Sequence, residues 1–388
     1  MDDQSAPSGA DPDVGSLCLV SQVTAADTRA IEAGLHELWR LAEAGEIMGA
    51  LARAASMTLL VTPADGTEAD EAIPMLDELA DTHPHRAILL VSDEGIDRPR
   101  ARLAGHVRRA EDGEAGRYWE EIRLVSPAPS LHQVMGAVAS LTLPNLPVQN
   151  WWTREPRFDG DLYTYAAEVS DRILVDSSRF ADPTASLPRM EEAIDAAHGT
   201  VAFADLSWTR LTPWRTRIAE FFDPPAHLAL LDSIERVAVE YVAKEGGGVA
   251  QALLLVGWLA SRLGWEPRAT QAAGPDAWDL QLVDGVRPVR VEVLSREPSD
   301  GPNEELRGLH AVTIEALEHG RRAFYRVERR GDGEEARTVA DVDGARLENP
   351  ARLPIQREVE LLREELGRFA TDAVYRQSLE VVSRFFNG

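Results

Sequence analysis

The residues most able to do chemistry in this 388-residue sequence are densest between Ala204 and Asp223, which read ADLSWTRLTPWRTRIAEFFD. Trp208 and Trp214 are interleaved there with Arg210 and Arg215. Tryptophan and arginine together are typical of the buried anchors of protein interfaces. Core tryptophans with cation–π partners would give the same pattern, and the sequence leaves both interpretations open.

Two acidic turns carry further polar groups. Asp205 precedes a predicted helix and is suited to cap it. Asp176-Ser177-Ser178 follow a predicted strand, at the edge where open parallel sheets bind their ligands. A serine at such an edge can be a nucleophile if a base is near, and the turn can hold a phosphate. The same three residues are equally a helix start that Asp176 caps.

A glycine run, Gly246-Gly247-Gly248, follows Lys244 and precedes a predicted helix. Free backbone N–H groups at the start of a helix can bind an anion, so a small anionic effector is a candidate ligand. A flexible turn explains the same residues without any ligand.

Common catalytic signatures are missing. A P-loop needs a lysine directly after a glycine, yet Lys244, the only lysine, follows Ala243. His36 and Glu37 begin like a zinc-protease helix, but Arg40 stands where the second histidine belongs. Glycine-rich dinucleotide and nucleophile-elbow motifs are also missing. The sequence therefore predicts no catalytic residues, no metal site and no cofactor, and indicates that the protein is not an enzyme.

Strand and helix patterns alternate over residues 15–225. Met57–Thr62 and Ala87–Ser92 are continuous apolar runs, as in strands buried on both faces, and Glu68–Thr82 between them has helical spacing. Strands joined through helices run parallel, so the pattern predicts an α/β domain with a doubly wound, mostly parallel sheet. A predicted helix over Arg29–Ala55 precedes these elements, and the alternation continues through Arg117–Ser126, Leu131–Leu141, Val148–Trp152, Leu162–Val169, Arg172–Asp176 and Leu187–Ala197.

The pattern changes after Pro224 and Pro225, where strands follow one another through short turns. This predicts a second, α+β domain over residues 226–388, with an antiparallel sheet and a long terminal helix from Ile355 that is broken at most once, around Thr371. Asp284-Gly285 predicts a hairpin turn. The other predicted elements are strands at Ile234–Val242, Asp276–Val283, Val286–Leu294, His310–Leu317, Arg321–Arg329 and Arg337–Val342, and a helix at Val249–Leu263.

The composition narrows the class of partner. Acidic residues number 65 against 40 basic ones, a net charge of −25 that repels nucleic acids and anionic membranes. The longest apolar stretch, Val249–Ala260, is shorter than the about 20 residues that span a bilayer. Residues 1–14 lack a secretory pattern and are predicted to be a disordered tail. With Cys18 as the only cysteine, we expect a cytoplasmic protein without an intramolecular disulfide.

Three motifs occur in order: Leu146-Pro147-Val148 before Trp151-Trp152, Asp171-Arg172 before Asp176-Ser177-Ser178, and the run from Asp205 to Arg215. Together they resemble the glucose-6-phosphate dehydrogenase assembly protein (OpcA) family. The resemblance implies a non-catalytic subunit that binds glucose-6-phosphate dehydrogenase, promotes its active oligomer and so activates the oxidative pentose phosphate pathway. Photosynthetic members are associated with cysteine-based redox control. This sequence departs from that pattern, because a single cysteine cannot form an intramolecular disulfide.

The three motifs define a predicted partner-binding surface. Strands that end near Trp152, Asp176 and Ala204 are expected to gather their loops along one sheet edge. One alternative is a sugar-phosphate- or nucleotide-binding enzyme that uses the same edge, with Arg210 and Arg215 holding phosphate. Another is a structural scaffold without a metabolic target. The predicted partner-binding residues are Trp151, Trp152, Asp176, Ser177, Ser178, Asp205, Trp208, Arg210, Trp214 and Arg215.

Overall fold

The structure is a computed structural model, and it divides the chain into two compact units that are discontinuous in sequence. Unit 1 comprises Met1–Val175, Thr200–Ala202 and Leu362–Phe369, and unit 2 comprises the remainder. The boundary predicted at residue 225 stays a prediction. The predicted tail over residues 1–14 and the residue Gly246 lie outside the described residues. The structure describes residues 16–24, 27–44, 51–52, 55–108, 116–242, 247–274, 276–296, 308–331 and 333–387.

Unit 1 is built on a mostly parallel sheet, as the apolar runs predicted. Its first elements are β1 (Ser16–Thr24), α1 (Thr28–Ala44), β2 (Leu51–Ala52), β3 (Met57–Thr62), α2 (Gly66–Leu79), β4 (His85–Ser92), β5 (Arg100–Arg108) and β6 (Gly116–Ser126). They are followed by a 3-10 helix (Ala128–Val134), α3 (Met135–Leu141), β7 (Val148–Trp152), α4 (Asp161–Glu168) and β8 (Arg172–Val175).

The strand order in unit 1 is β1-β5-β6-β4-β3-β7-β8. Pairs from β6 to β8 are parallel, whereas β5 is antiparallel to both β1 and β6. The order reverses between β3 and β7, and such a topological switch point is where open α/β sheets bind ligands. A nucleotide site in this sheet would therefore lie in the crevice at the carboxyl ends of β3 and β7.

The predicted helix over Arg29–Ala55 is wrong at its end, because α1 ends at Ala44 and Leu51–Ala52 form β2. Two glycines, Gly45 and Gly49, follow the last turn of α1 and have low helix propensity.

Unit 2 holds a mostly antiparallel sheet. Its first elements are a 3-10 helix (Ser177–Arg179), α5 (Pro183–Ala196), β9 (Ala202–Asp205), α6 (Leu206–Arg210), α7 (Thr212–Glu220), α8 (Pro225–Leu228), a 3-10 helix (Leu231–Ser233), β10 (Ile234–Val242) and α9 (Gly247–Leu263). The later elements are β11 (Glu266–Gly274), β12 (Ala277–Asp284), β13 (Arg287–Arg296), β14 (Gly308–Glu318), β15 (Arg321–Arg329), β16 (Glu335–Val342), β17 (Ala345–Arg352), α10 (Glu358–Leu366) and α11 (Ala373–Phe386). Two elements cross the boundary between the units, because the first residue of β9, Ala202, and the part of α10 from Leu362 onward belong to unit 1.

The strand order of the second sheet is β11-β12-β13-β10-β14-β15-β16-β17. Every pair is antiparallel except β10 with β13. The hairpin predicted at Asp284-Gly285 joins β12 to β13, and Gly285 has the left-handed φ of 61° that its turn requires. The predicted α+β class of this region is confirmed.

The terminal helix predicted from Ile355 has the single break that the pattern allowed around Thr371, and it consists of α10 and α11. Gly367 follows α10 directly, and Asp372 caps the start of α11 by accepting the Val374 N–H at 2.7 Å. Among the described residues, no helix is long and apolar enough to cross a membrane.

Candidate functional site

The Asp176 turn begins where β8 ends. Asp176 is buried, and its Oδ1 accepts the Ser178 N–H at 3.1 Å, which caps the 3-10 helix that follows. The Ser178 hydroxyl donates to the same oxygen at 2.6 Å. Ser177 is fully buried. The capping arrangement that the sequence allowed is therefore the local geometry of all three residues.

Asp205 ends β9 and caps α6. Its Oδ1 accepts the Ser207 N–H at 2.9 Å and also the Ser177 N–H at 3.0 Å, which belongs to the other turn. In return, the Ser207 hydroxyl donates to Asp176 Oδ1 at 3.0 Å. The two turns are cross-linked through their caps, so a change at either aspartate reaches both.

Arg210, at the end of α6, pairs with Asp176 through both prongs of its guanidinium. The Nη1–Oδ1 distance is 3.0 Å and the Nη2–Oδ2 distance is 2.7 Å. Burial opposes ionisation of Asp176, but the Arg210 charge outweighs it and holds the pKa of Asp176 well below its usual range. The fork that the enzyme hypothesis assigned to a phosphate is therefore engaged by a carboxylate of the same unit.

Both tryptophans of the Trp208–Arg215 segment are core side chains, each 3% exposed. The Trp208 indole N–H donates to Asp372 Oδ2 at 2.9 Å, and the Arg215 guanidinium lies 3.5 Å above the Trp208 ring centroid. This is the cation–π arrangement that the sequence left open. Arg215 is half-buried, so the segment presents it to solvent together with Thr212, Pro213 and Thr216, rather than presenting the indoles.

Trp151 and Trp152 lie on β7 in unit 1, with 1% and 6% of their surface exposed. Neither indole nitrogen has a hydrogen-bond partner among the described residues. The Trp152 ring centroid is 6.2 Å from that of Tyr163 on α4. The predicted gathering of these tryptophans with the Asp176 turn in one patch stays a prediction.

The glycine run has a packing role at one position. A Cβ on Gly248 would lie 2.3 Å from Tyr241 Cδ2 and 2.8 Å from the Val242 carbonyl oxygen, so only glycine fits where α9 meets β10. Gly247 is the first residue of α9. Anion binding at this turn stays a prediction.

The start of α2, at the switch point of unit 1, is occupied by carboxylates. Asp65 caps the helix by accepting the Thr67 and Glu68 N–H groups at 2.8 and 3.0 Å. Glu68 Oε2 accepts the Ala64 N–H at 2.6 Å and the Thr153 hydroxyl at 2.7 Å. Dinucleotide folds bind pyrophosphate at this helix terminus, so Glu68 places the chain's own negative charge where a phosphate would bind.

Sequence inspection missed this feature, although its signal was present. Asp65 and Glu68 have the three-residue spacing of a capping box directly after an apolar run. Sequence inspection also missed the buried ion pair in unit 1 between Arg172 and Glu365, whose Nη2–Oε2 distance is 2.5 Å. No group of histidine, cysteine and acidic side chains within the described ranges could hold a metal ion.

Sequence models of one protein class match both parts of the chain. The glucose-6-phosphate dehydrogenase subunit N-terminal domain matches residues 76–192, and the C-terminal domain of the same subunit matches residues 201–379. The chain therefore belongs to the glucose-6-phosphate dehydrogenase assembly protein (OpcA) family, as the three motifs predicted.

Proteins named OxPP cycle protein OpcA are similar to this chain. That of Nostoc punctiforme is 35% identical over 205 residues, covering 52% of this chain and 42% of its own length. That of Synechocystis is 28% identical over 277 residues, covering 68% and 55%. The chain thus spans about half the length of these curated relatives. The crystal structure of a probable oxidoreductase, yhhX, aligns with a TM-score of 0.45 and 11% identity over 85% of this chain and 97% of that one, which is too low to support an argument.

Proposed function

We propose that this protein is a non-catalytic, cytoplasmic subunit that binds glucose-6-phosphate dehydrogenase and promotes its active oligomer in the oxidative pentose phosphate pathway. Membership of the OpcA family carries the proposal. The dehydrogenase is the proposed partner, and we propose no binding to nucleic acid or to a membrane.

The geometry of the two units supports a non-catalytic role. At the switch point, Glu68 is 9% exposed and its two oxygens are engaged by Ala64, Thr153 and Arg154. A dinucleotide phosphate would have to displace that carboxylate from the start of α2 or tolerate its charge.

In unit 2, the Arg210 guanidinium already satisfies a buried aspartate. These two arrangements favour binding of a protein over binding of a phosphorylated substrate.

The Trp208–Arg215 segment is the proposed contact surface. Acidic side chains outnumber arginines in this chain, as its net charge of −25 shows. Arg215 packs on the ring of Trp208, which holds the guanidinium in place. Arginines held in place by packing lose little conformational entropy on binding, which is a property of interface anchors. We therefore assign Arg215 the central contact with an acidic group of the dehydrogenase.

Arg215→Ala is expected to weaken association with the dehydrogenase at least tenfold, about 1.4 kcal/mol, because it removes that contact. The loss of a cation–π contact at a half-buried position costs the fold only about 1 kcal/mol, so the melting temperature changes little. Isothermal titration calorimetry against the dehydrogenase of the same organism measures the first effect, and differential scanning calorimetry measures the second.

Arg352→Ala is the matched control, since Arg352 is an exposed arginine with one glutamate partner, Glu334, at 2.7 Å. It should bind as the wild type does. Normal binding by Arg215→Ala would show that the surface is misplaced. Global unfolding of Arg215→Ala would show that the residue serves core packing instead.

A further inference from the structure

Asp176 and Asp205 form a buried pair of carboxylates beneath the Trp208–Arg215 segment. They are 3% and 2% exposed, and each caps a helix while hydrogen-bonding to the turn of the other. The second oxygen of Asp205 meets the Tyr375 hydroxyl of α11 at 3.4 Å. Trp208 is tied to the same helix start through Asp372. The pair therefore lies where the Trp208–Arg215 segment contacts α11 of unit 2.

The charges around this pair compensate one carboxylate and not the other. Arg210 pairs with Asp176, whereas no arginine among the described residues pairs with Asp205. The neighbouring Arg179, which lies 2.5 Å from Glu358, also acts on Asp176, whose pKa it lowers.

The packed helices bring no further compensation. In α9, which packs against both turns, the only charged side chain is Arg262, and it donates to Gln377. From α5, the Met190 sulfur faces the Tyr375 hydroxyl. With both aspartates ionised, the cluster carries one uncompensated buried negative charge.

The two carboxyl groups consequently titrate far apart. Burial, reinforced by the negative charge of Asp176, raises the pKa of Asp205 to about 6. Asp176 stays ionised beside Arg210. A carboxyl group whose pKa is about 3.9 when exposed thus gains a proton in the closed structure at mildly acidic pH.

We propose that Asp205 is a proton-operated latch on the Trp208–Arg215 segment. Protonated, it holds the two turns and α11 together without net charge. Ionised, it sets a second negative charge against Asp176, which lowers the cost of opening the segment. Opening separates Arg215 from the Trp208 ring, so the closed form is the one that presents the proposed Arg215 contact. This last step rests on the proposed function, whereas the latch itself does not.

The pH window follows from the direction of the shift. A raised carboxyl pKa stabilises the closed form fully below the exposed value of about 3.9, and the stabilisation is lost as the pH rises through about 6. Between pH 5.0 and pH 7.5 the opening constant of the segment should rise about tenfold. The reason is that pH 5.0 lies about one unit below the pKa of Asp205 in the closed form, and each unit is a factor of ten. Asp205→Asn keeps an acceptor for the Ser177 and Ser207 N–H groups but cannot ionise, so its opening constant should not change.

Hydrogen exchange followed by mass spectrometry, on peptides that cover α6, tests the latch in the full chain without the dehydrogenase. After correction for intrinsic exchange, we expect the tenfold rise in wild type and no rise in Asp205→Asn. Asp182→Asn, which alters the exposed cap of α5, should behave as wild type. Equal opening constants at the two pH values in wild type, or the same rise in Asp205→Asn, would overturn the latch.

If Asp205→Asn does not fold, carboxyl-carbon NMR of the wild type decides instead. A titration midpoint near 6 for Asp205 supports the latch, and a midpoint below 4.5 overturns it.

A binding measurement then separates the latch from the proposed function. The closed form is the one that presents Arg215, so Asp205→Asn, which favours the closed form, should bind the dehydrogenase at least as tightly as wild type at pH 5.0 and at pH 7.5. Comparing the two chains at each pH cancels the pH dependence of the dehydrogenase. If exchange shows the latch and Asp205→Asn binds more weakly than wild type, the latch stands and the closed segment is not the contact surface.

Discussion

Removal of the Arg210 guanidinium is expected to lower the free energy of unfolding by about 3 to 5 kcal/mol at pH 7, because it leaves Asp176 ionised and buried without its partner. The two hydrogen bonds of 3.0 and 2.7 Å are lost with the charge. Urea denaturation of Arg210→Ala, followed by tryptophan fluorescence, measures the change in the free energy of unfolding.

The pH dependence identifies the cause. In wild type the depressed pKa of Asp176 contributes stability above about pH 3.9, and this contribution is lost as the pH falls through the depressed value. In Arg210→Ala, burial and Asp205 act on Asp176 against only the weaker opposing effects of Ser178 and Arg179, so its carboxyl takes up a proton more readily.

The destabilisation should therefore be smaller at pH 5 than at pH 7. Asp176→Asn combined with Arg210→Ala should be more stable at pH 7 than Arg210→Ala, since position 176 then carries no unpaired charge. A pH-independent loss would indicate a packing role for Arg210.

Arg172→Ala is expected to destabilise unit 1 by a similar amount, about 3 to 5 kcal/mol. Arg172 is 2% exposed at the start of β8, and it donates to the Glu365 carboxylate, to the Glu365 carbonyl oxygen and to the Arg368 carbonyl oxygen, the last at 2.8 Å. Its loss leaves a buried glutamate and two backbone carbonyl groups with fewer partners.

The free energy of unfolding in urea checks this second prediction. Arg172→Met with Glu365→Leu should recover most of the loss, because apolar replacement of a whole buried pair is often neutral. Arg290→Ala, which removes a surface ion pair, should cost less than about 1 kcal/mol. An Arg172→Ala variant as stable as Arg290→Ala would contradict the assignment.

Strands with a continuous or an alternating apolar pattern could be predicted from the sequence. Met57–Thr62, Val148–Trp152, Ile234–Val242 and Arg321–Arg329 have the predicted bounds. Periodicity succeeds there because each strand buries at least one face.

Two strands of the second sheet were missed because they bury little of either face. β17 and β11 are edge strands whose residues are mostly exposed, so they show no apolar alternation, and β17 even contains Pro350. Position in the sheet, which local sequence does not encode, decides whether such a segment pairs.

The candidate site likewise has features that could be predicted from the sequence and features that could not. Asp176 and Asp205 could be predicted as caps, because capping depends on residues two or three positions away. Their mutual hydrogen bonds and the pairing of Asp176 with Arg210, 34 positions along the chain, depend on how β8 and β9 are placed. Whether Trp208 is an exposed anchor or a core side chain is likewise a property of burial, not of spacing.

Steady-state kinetics of glucose-6-phosphate dehydrogenase from the same organism tests the central claim most directly. We expect this chain to oxidise no glucose 6-phosphate by itself, and to raise kcat/KM of the dehydrogenase in a saturable way while shifting it to a larger oligomer in sedimentation velocity. An unchanged kcat/KM and an unchanged sedimentation profile at saturating concentrations of this chain would contradict the account.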